Sequence, residues 1–570
     1  MFVKTTRRKR GDKVYTYLSL VEAVREDGKM RHRTLVRLGE AGELAATGQL
    51  DRIIAALRAH AEGTWVAGDE LEAGDAAAIG GMAAAAAYWR RLGLDHHFGR
   101  VGGGVEWPLA DAVLAMVAGR LLAPSSKRRL PEWVGEDVVM PEGFRVPELH
   151  HYYRAVDGVA GAKTDTEVHL YARLTDLTNL DLRLVCYDLT STYFEGETRP
   201  RERFASRAFG YSRDHRSDRP QVVIGLLCTG DGIPIAHHVF AGSTADVSTL
   251  PGVLADLQER FGVGKVCLVA DRGLISADNL AAVEAGGFDH LLATRLHNNA
   301  EVAAALQAAT APDASWVPVP EAGSAACEVD HDGRRYVVVM SVERWRRDVT
   351  RTAELVKRTE TELLALEDRV RAGRLKDKAK IGAAAGRILE RSGVARLFDT
   401  EVGEGRFLYH YDEAAFHYEE QLLAGRYVLT TSLDPEAAST PQVVNHYRRL
   451  LEVESSFRVL KDLIELRPVY HWTEDRVRGH IAICVLAILI EALMEDDLRA
   501  ADVRDPDIPE QFLSPRRALR ELQRIRSVRI EAGTTTLDVV TRRSALQSRI
   551  LAAFDVDTST WDRARITPAA

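Results

Sequence analysis

The fold is decided by the stretch LRLVCYD (residues 182–188), an apolar run of β-forming residues that ends on an acid. Two strand-like runs follow at 221–229 and 233–241, and Gly230-Asp231-Gly232 between them is typical of a tight hairpin. A helical pattern over 247–261 then leads to a further apolar run that ends on Asp271. Hairpin strands followed by alternating helix and strand predict one mixed α/β sheet.

Downstream of Asp271, a helical pattern at 276–285 and a strand-like run at 290–295 complete this unit. The pattern is then interrupted between 301 and 425, where a charged helical segment at 352–371 is the longest feature. Strand character returns at 426–430. This order predicts that an insertion separates two parts of one sheet domain.

The segments that flank the predicted sheet differ from it in composition and in the pattern of their apolar residues. VYTYL (14–18) alternates as a strand does, and Asp27-Gly28-Lys29 signals a hairpin within a basic segment. An Ala/Gly-rich run from Leu71 to Ala87 is expected to open a helical region that reaches about residue 174. The predicted organisation is a basic N-terminal β unit (1–60), a helical region (61–175), the first part of the sheet domain (180–300), the insertion (301–425), the second part of the sheet domain (426–500) and a C-terminal helical tail (501–570).

The composition is that of a water-soluble protein with several domains, because 46% of the 570 residues are hydrophobic and 28% are charged. The five cysteines are scattered without a C-x-x-C pair, which favours a reducing cytosol. Residues 1–10 lack the apolar stretch of a signal peptide. The apolar run Ile481–Ile490 is too short to span a bilayer and predicts a buried helix rather than a membrane role.

The net charge of −8 argues against a nucleic-acid partner, but the charge is unevenly distributed. Cations dominate the first 37 residues, where Arg7-Arg8-Lys9-Arg10 is the densest group. A second basic stretch lies at 369–380. Either stretch could equally be an ordinary solvated face.

Two acids at the ends of predicted strands are candidate site residues. Open α/β sheets place ligand sites beyond the carboxyl ends of their strands, and Asp188 and Asp271 both occupy such positions. Taken one at a time, each is more simply explained as a loop aspartate.

A third candidate acid lies on a long helix that is predicted from Pro441 through Lys461. Its core stripe at helical spacing consists of Leu450, Val453, Phe457, Leu460 and Ile464. Tyr447, Glu454 and Lys461 recur every seven residues and form a second stripe beside that core. Glu454 could therefore face the sheet, whereas Glu452 points almost the opposite way. Charges that flank the core of an ordinary amphipathic helix would give the same pattern.

Together these segments resemble the DDE transposases of bacterial insertion sequences. YDLTSTYF (187–194) and VADRGL (269–274) look like the first two acidic motifs of that family. Tyr447, Glu454 and Lys461 match the Y-x2-R-x3-E-x6-K signature of the insertion-sequence-four group, although Leu450 stands where the signature has arginine. The sequences GSTAD (242–246) and RPVYHW (467–472) are similar to one branch of the group.

The resemblance implies a ribonuclease-H-like sheet with an insertion domain, and a cut-and-paste transposase that binds element ends, cleaves with water and joins strands through a 3′-hydroxyl. Asp188, Asp271 and Glu454 are then the catalytic and metal-binding residues, with Asp188 bridging two Mg²⁺ ions for which Mn²⁺ can substitute.

The expected partners are double-stranded DNA, at element ends and target, and a second copy of the chain in a homodimer without any membrane contact. DNA binding is assigned to residues 1–175 and to two sets of side chains: Tyr447, Arg449, Arg458 and Lys461 near the glutamate, and Arg7, Arg8, Lys9 and Arg10 at the N-terminus. The expected location is the bacterial cytoplasm, in association with the nucleoid.

Other classes of site fit less well. Adjacent histidine pairs diverge and no H-E-x-x-H occurs, which argues against zinc. GVGK (262–265) lacks the rest of a phosphate-binding loop, and a two-carboxylate glycosidase leaves the basic segments unexplained. Two alternatives stay open. One is a domesticated relative that binds DNA without cutting, and the other is a metal-dependent nuclease that never joins strands.

Overall fold

The computed structural model describes residues 1–26, 29–58, 60, 71–178, 184–195, 206–261, 266–271, 274, 276–294, 296, 300–459, 466, 469–532, 535–561 and 565–568. The chain forms two compact units. The first comprises Met1–Asp75, Val528–Val539 and Arg563–Ala570, and the second comprises Ala76–Ser527 and Val540–Asp562.

The first unit begins with an antiparallel sheet in the order β1-β2-β3. The elements at this end of the chain are β1 (Phe2–Arg10), β2 (Lys13–Glu26), β3 (Lys29–Glu40), α1 (Ala41–Ala46), α2 (Gln49–Arg58) and β4 (Leu71–Ala78). Gly11, with φ of 59°, permits the tight β1–β2 turn. The β2 and β3 strands pair as far as Glu26 and Lys29, as the hairpin signal predicts, while Asp27 and Gly28 lie outside the described residues.

Six helices of the second unit lie in the segment predicted to be helical, but the start of that segment differs from the prediction. Its helices are α3 (Gly80–Arg91), α4 (Leu94–Val101), α5 (Leu109–Leu122), α6 (Leu130–Glu132), α7 (Leu149–Gly161) and α8 (Lys163–Thr178). The Ala/Gly-rich run does not open this region as one helix, because its first half is the strand β4. That strand pairs with a strand more than 400 residues downstream, a partner that local sequence cannot reveal.

A nine-stranded mixed sheet in the order β10-β11-β12-β15-β9-β8-β5-β6-β7 organises the second unit. Its strands are β5 (Leu184–Tyr193), β6 (Gln221–Thr229), β7 (Pro234–Ala241), β8 (Cys267–Ala270), β9 (Asp289–Ala293), β10 (Trp316–Val319), β11 (Ser324–His331), β12 (Arg334–Met340) and β15 (Arg426–Thr431). Three helices accompany them: α9 (Leu250–Phe261), α10 (Ala277–Ala285) and α11 (Ala300–Ala309). The predicted mixed α/β sheet is confirmed.

The segment predicted as an insertion at 301–425 partly belongs to this sheet. Strands β10 to β12 extend the sheet because β12 pairs with β15, which in turn pairs with β9. Only residues 341–425 leave the sheet, and they form α12 (Val342–Arg371), α13 (Lys378–Ser392), β13 (Phe398–Gly403), β14 (Arg406–Tyr411) and α14 (Glu413–Leu422). This part has its own core, which includes Leu363, Leu366, Ile381 and Phe407.

The C-terminal part is not wholly helical, as was predicted for 501–570. It contains α18 (Pro515–Leu522) and α19 (Ala545–Ala553), but also β16 (Arg526–Ala532), β17 (Thr535–Val540) and β18 (Arg565–Pro568). These strands form a sheet in the order β18-β17-β16-β4. These strands contain arginines and short polar runs, so their sequence lacks a clear strand pattern. Their sheet also depends on β4, which is distant in the sequence.

The two faces of the nine-stranded sheet pack against different helices. On one face, Val185, Tyr187 and Leu189 of β5 join the core formed by α9 and α10. On the other face, Cys186 of β5 and Val269 of β8 join the core formed by α15 (Thr440–Arg448), α16 (Leu450–Arg458) and α17 (Glu474–Ala500).

Helix α17 is the one helix of the described chain that is long and apolar enough to cross a membrane, with a mean hydropathy of 2.0 in its most apolar window. That window is 89% buried within the fold, and Ile481, Ile488 and Ile490 are each no more than 2% exposed. The prediction of a buried core helix is confirmed.

Candidate active site

Asp188 and Asp271 lie side by side on neighbouring parallel strands. The pairing of β5 with β8 ends at Tyr187 and Ala270, so the two acids are the next residues of each strand. Neighbouring strands lie about 4.8 Å apart, and both acids fall on the face of Cys186 and Val269 because side chains alternate along a strand. Both acids are partly exposed. The strand pairing therefore brings the two acids next to each other where the β5–β8 pairing ends.

The position of Asp188 within its strand differs from the prediction. We expected the acid to end the strand, but β5 continues to Tyr193. The reason is that β6, on the other side of β5, remains paired up to Gln221, whereas β8 stops at Ala270. Asp188 therefore lies where the pairing of β5 with β8 ends, but in the middle of the pairing of β5 with β6. Its Oδ1 accepts a hydrogen bond from the Leu189 amide at 2.7 Å.

Helix α16, which includes Glu454, packs on the same face of the sheet. Leu450, Val453 and Phe457 are each at most 6% exposed and pack in the core that contains Cys186 and Val269, which confirms this part of the predicted core stripe. Glu454 belongs to this helix, but its side chain lies outside the described residues, as do Leu460, Lys461 and Ile464. Beyond them, Val469 pairs with Phe194, so the chain returns to the end of β5.

The long helix predicted from Pro441 is in fact two helices. The amide of Arg449 bonds to the carbonyl of His446, a tighter turn than the α-helical pattern, and separates α15 from α16. The seven-residue spacing of Tyr447 and Glu454 therefore crosses a helix junction.

The predicted DNA-binding side chains near Glu454 have different surroundings. Tyr447 is partly buried, with its ring 5.8 Å from the ring of Tyr427. Arg449 donates to Asp231 at 2.6 Å, at the β6–β7 turn. Arg458 is exposed in the last turn of α16, and Leu450, which replaces the signature arginine, is only 4% exposed. Arg7, Arg8, Lys9 and Arg10 are all exposed on β1 of the other unit.

Asn279 is a site neighbour that the sequence did not reveal. It is 5% exposed, and its Nδ2 donates to the carbonyls of Leu274 and Val247, each at 2.7 Å. The Leu274 amide bonds in turn to the carbonyl of Asp271 at 3.1 Å. Asn279 therefore ties the turn after Asp271 to the loop before α9. The only sequence signal was the helix start, since Ser276 caps the predicted helix α10.

The loop between β5 and β6 is held by a second set of polar contacts. Arg213 pairs with Asp246 at 2.6 Å, and its amide donates to the Oγ of the fully buried Ser191 on β5. Gly242 lies against β6 and the same loop, because a Cβ there would stand 2.2 Å from the carbonyl oxygen of Gln221 and 2.3 Å from that of Ala208. The GSTAD segment therefore has a structural role near the end of β5, where Ser191 is three residues from Asp188 and on the opposite face of the sheet.

The donor set suits a hard divalent cation. Carboxylate oxygens are the preferred ligands of Mg²⁺ and Mn²⁺, and two of the three predicted carboxylates are adjacent. Within the described residues no group of three or more His, Cys, Asp or Glu could hold a metal, and the side chain of the third predicted ligand lies outside them. The adjacent histidines have other partners: His97 contacts Thr166 at 2.9 Å, and His237 contacts Glu167.

Comparisons with known proteins identify the family. The model of the transposase DDE domain matches residues 180–490, which is more than half of the chain. The model of the IS1634 family transposase N-terminal domain matches residues 3–69. No curated protein matches the chain. Among solved structures, the chain is similar to a piggyBac transposase synaptic complex with hairpin DNA, at 12% identity and a TM-score of 0.33 over 78% of this chain and 79% of that one.

The N-terminal match and the DDE match confirm the predicted resemblance to a bacterial insertion-sequence transposase. The protein belongs to the DDE transposases, enzymes that use divalent metal ions for phosphoryl transfer on DNA.

Proposed function

We propose that this transposase moves its element by cut-and-paste transposition, with Asp188, Asp271 and Glu454 as the metal ligands. The observation that carries the assignment is the adjacency of Asp188 and Asp271 at the end of the β5–β8 pairing. The packing of α16 on the same face of the sheet supports Glu454 as the third ligand. We further propose that β5 to β9, an antiparallel meander followed by two parallel strands, form a ribonuclease-H-like sheet.

The three carboxylates would share the metal ions. Asp188 lies on β5 between β8 and β6, and Asp271 follows the last residue of β8 that pairs with β5. On this proposal Asp188 would hold both of two Mg²⁺ or Mn²⁺ ions, and Asp271 and Glu454 would each hold one of them. Two bound metal ions stabilise charge on the attacking and leaving oxygens of an in-line displacement. The carboxylates contribute by fixing the positions of those charges in a partly buried setting.

DNA recognition is assigned to groups outside the carboxylates. The exposed cations of β1 can neutralise phosphates without any local acid on that strand. Together with the helices up to residue 175, they would hold the element ends. Tyr447, Arg458 and Lys461 would hold phosphates close to the cleaved bond. Arg449 is a weaker candidate than the others, because it already pairs with Asp231. Pairing of two element ends implies a homodimer on DNA, which would act in the bacterial cytoplasm in association with the nucleoid.

The test uses the full-length protein, duplexes that carry the ends of its own element, and Mg²⁺. Asp188→Asn, Asp271→Asn and Glu454→Gln should each lower strand cleavage by at least about 1000-fold, since each removes a charge that positions the metal. End binding without metal should be unchanged. Glu452→Gln, on the same helix, is the matched control and should cleave normally. Normal cleavage by any of the three site variants would remove that residue from the site.

A second measurement separates transposition from simple hydrolysis. Pre-cleaved ends with free 3′-hydroxyls should be joined to a target plasmid by the wild-type protein. Cleavage without any joined product would identify a nuclease, and binding without cleavage would identify a DNA-binding relative.

A further inference from the structure

Helix α12 carries four arginines in one line along its exposed side. They are Arg347, Arg351, Arg358 and Arg369, and all four are exposed. At about 100° per residue, their side chains fall within about 40° of one another around the helix axis. We call these four residues the arginine stripe. The stripe includes Arg369, the first residue of the basic stretch at 369–380, and that stretch has no proposed role in catalysis.

The orientation of the stripe is fixed by the opposite face of the helix. Val356, Leu363, Leu366 and Val370 are at most 7% exposed and pack in the core that α12 shares with α13 and the β13–β14 hairpin. The buried side chains recur every three or four residues over the whole length between Val356 and Val370. The stripe is therefore presented on a packed element, and its cations do not depend on a mobile loop.

The stripe is also free of acidic partners. Within the described part of the chain, none of its four guanidinium groups has a carboxylate within ion-pair distance. Four other exposed arginines of the same segment are paired: Arg371 with Glu367, Arg391 with Glu362, Arg396 with Glu419 and Arg406 with Glu401. Arg346, Arg374 and Arg387 are exposed as well and, among the described residues, have no carboxylate within ion-pair distance. Two exposed glutamates lie on the same side of the helix, Glu343 one turn before Arg347 and Glu354 between Arg351 and Arg358, but neither is within ion-pair distance of the stripe. A row of unpaired cations is unfavourable by itself and indicates a polyanionic ligand.

The dimensions of the stripe match double-stranded DNA. From Arg347 to Arg369 there are 22 residues, which at 1.5 Å each extend about 33 Å, roughly one turn of B-DNA. One end of the helix also lies close to the candidate site. The guanidinium of Arg344 stands 5.3 Å from the ring of Tyr427, which is 5.8 Å from the ring of Tyr447.

We propose that the arginine stripe is a second DNA-binding surface, which holds the phosphate backbone of duplex DNA that extends beyond the catalytic site. The contact is independent of base sequence, because guanidinium groups at this spacing reach phosphates and no base edge is required. The inference rests on the proposed function only in that the same duplex passes the carboxylates. An acidic protein segment is the competing occupant, and the salt dependence below distinguishes the two.

The test compares two sets of four substitutions in the full-length protein. The stripe variant carries R347Q, R351Q, R358Q and R369Q, and the control carries R371Q, R391Q, R396Q and R406Q. Binding of a long duplex is measured without divalent metal between 50 and 300 mM salt. Each lost phosphate contact lowers the slope of log Kd against log salt by about 0.9, so the stripe variant should lose up to about 3.6 and the control less than about 1.

Equal slopes for the stripe variant and the wild type would overturn the proposal, and so would equal losses in stripe and control. A variant with lysine at all four stripe positions checks the fold. It keeps the charges and should retain most of the wild-type slope, and loss of that slope would also count against the proposal. Because binding is measured without metal, the result does not depend on Asp188, Asp271 or Glu454. Failure of the catalytic assignment would appear instead as normal cleavage by their variants.

Discussion

Replacement of Asn279 by alanine tests whether the turn after Asp271 must be held in place for catalysis. The side chain is 5% exposed, and its Nδ2 donates to the carbonyls of Leu274 and Val247 at 2.7 Å each. Alanine removes both bonds without filling the space. Asn279→Asp keeps the shape of the side chain but places a carboxylate oxygen against two carbonyl oxygens, so it should be at least as harmful.

The magnitude follows from the two acceptors that lose their donor. A buried polar group left without a partner costs about 1–3 kcal/mol, so the loss of two should lower the free energy of unfolding by about 2–6 kcal/mol. A shift of the Leu274 turn would also displace Asp271, to which it is bonded through the backbone. A misplacement of about 1 Å can lower the rate about 100-fold, and a displaced ligand should raise the Mg²⁺ concentration needed for half-maximal cleavage.

The assay is single-turnover cleavage of end DNA over a range of Mg²⁺ concentrations, at a temperature where the variant is folded. Asp278→Ala, a change at the exposed neighbouring residue of α10, is the matched control and should leave both stability and Mg²⁺ dependence unchanged. A purely structural role would lower the melting temperature but leave the rate and Mg²⁺ dependence of the folded protein as in the wild type. That outcome would refute a positioning role for Asn279.

Three further predictions concern buried and exposed cations. Burial lowers the pKa of Lys127 to about 7, and its Nζ contacts His480 at 3.0 Å. Since the unfolded state keeps the proton up to about pH 10.5, wild-type stability should rise from pH 7 to 10. Lys127→Met lacks this titration, so the stability of the variant relative to the wild type should fall between pH 7 and 10. A difference in melting temperature that stays constant over that range would contradict this. Replacement of residues 7–10 by glutamine should lower the salt slope of end binding by up to about 3.6, with no loss of folding; an unchanged slope would place recognition elsewhere. Lys461→Ala should weaken strand transfer but not Mg²⁺ binding, because an ammonium group donates and cannot ligate a cation; normal transposition, or lost Mg²⁺ binding, would count against this role.

Local patterns predicted strands β5 to β9 and the position of Asp271 at a strand end, because those features depend on residues close together in the sequence. The strand before Asp271 could be predicted because its four residues, all buried in the structure, are apolar and precede a polar residue. The neighbour relation of the two acids does not follow from local order, because β8 comes after β7 in the sequence but pairs with β5, beyond β6.

The features that could not be predicted from the sequence depend on pairing between strands that are far apart in the sequence. Asp188 was assigned to a strand end, although pairing with β6 carries β5 on to Tyr193. Leu71–Ala78 was expected to be helical, because its partner β16 begins only at Arg526. Strands β10 to β12 were assigned to the insertion, because nothing local shows that β12 pairs with β15.

Side-chain networks were the least predictable part of the site. Asn279 acts through one amide group whose two acceptors are 5 and 32 residues away in sequence. Arg449 was predicted to bind DNA, but Asp231 is 218 residues away and could not be recognised as its partner. Such pairings depend on how distant segments pack together, which becomes visible only in three dimensions.

The most direct test of the account is to locate the metal itself. Fe²⁺ in place of Mg²⁺, with ascorbate and hydrogen peroxide, generates hydroxyl radicals that cut the polypeptide close to a bound ion. The full-length protein should be cut near residues 188, 271 and 454, excess Mg²⁺ should suppress these cuts, and Asp188→Asn should abolish all three together. Cuts elsewhere in the chain, or a pattern that survives Asp188→Asn unchanged, would contradict the three-carboxylate site.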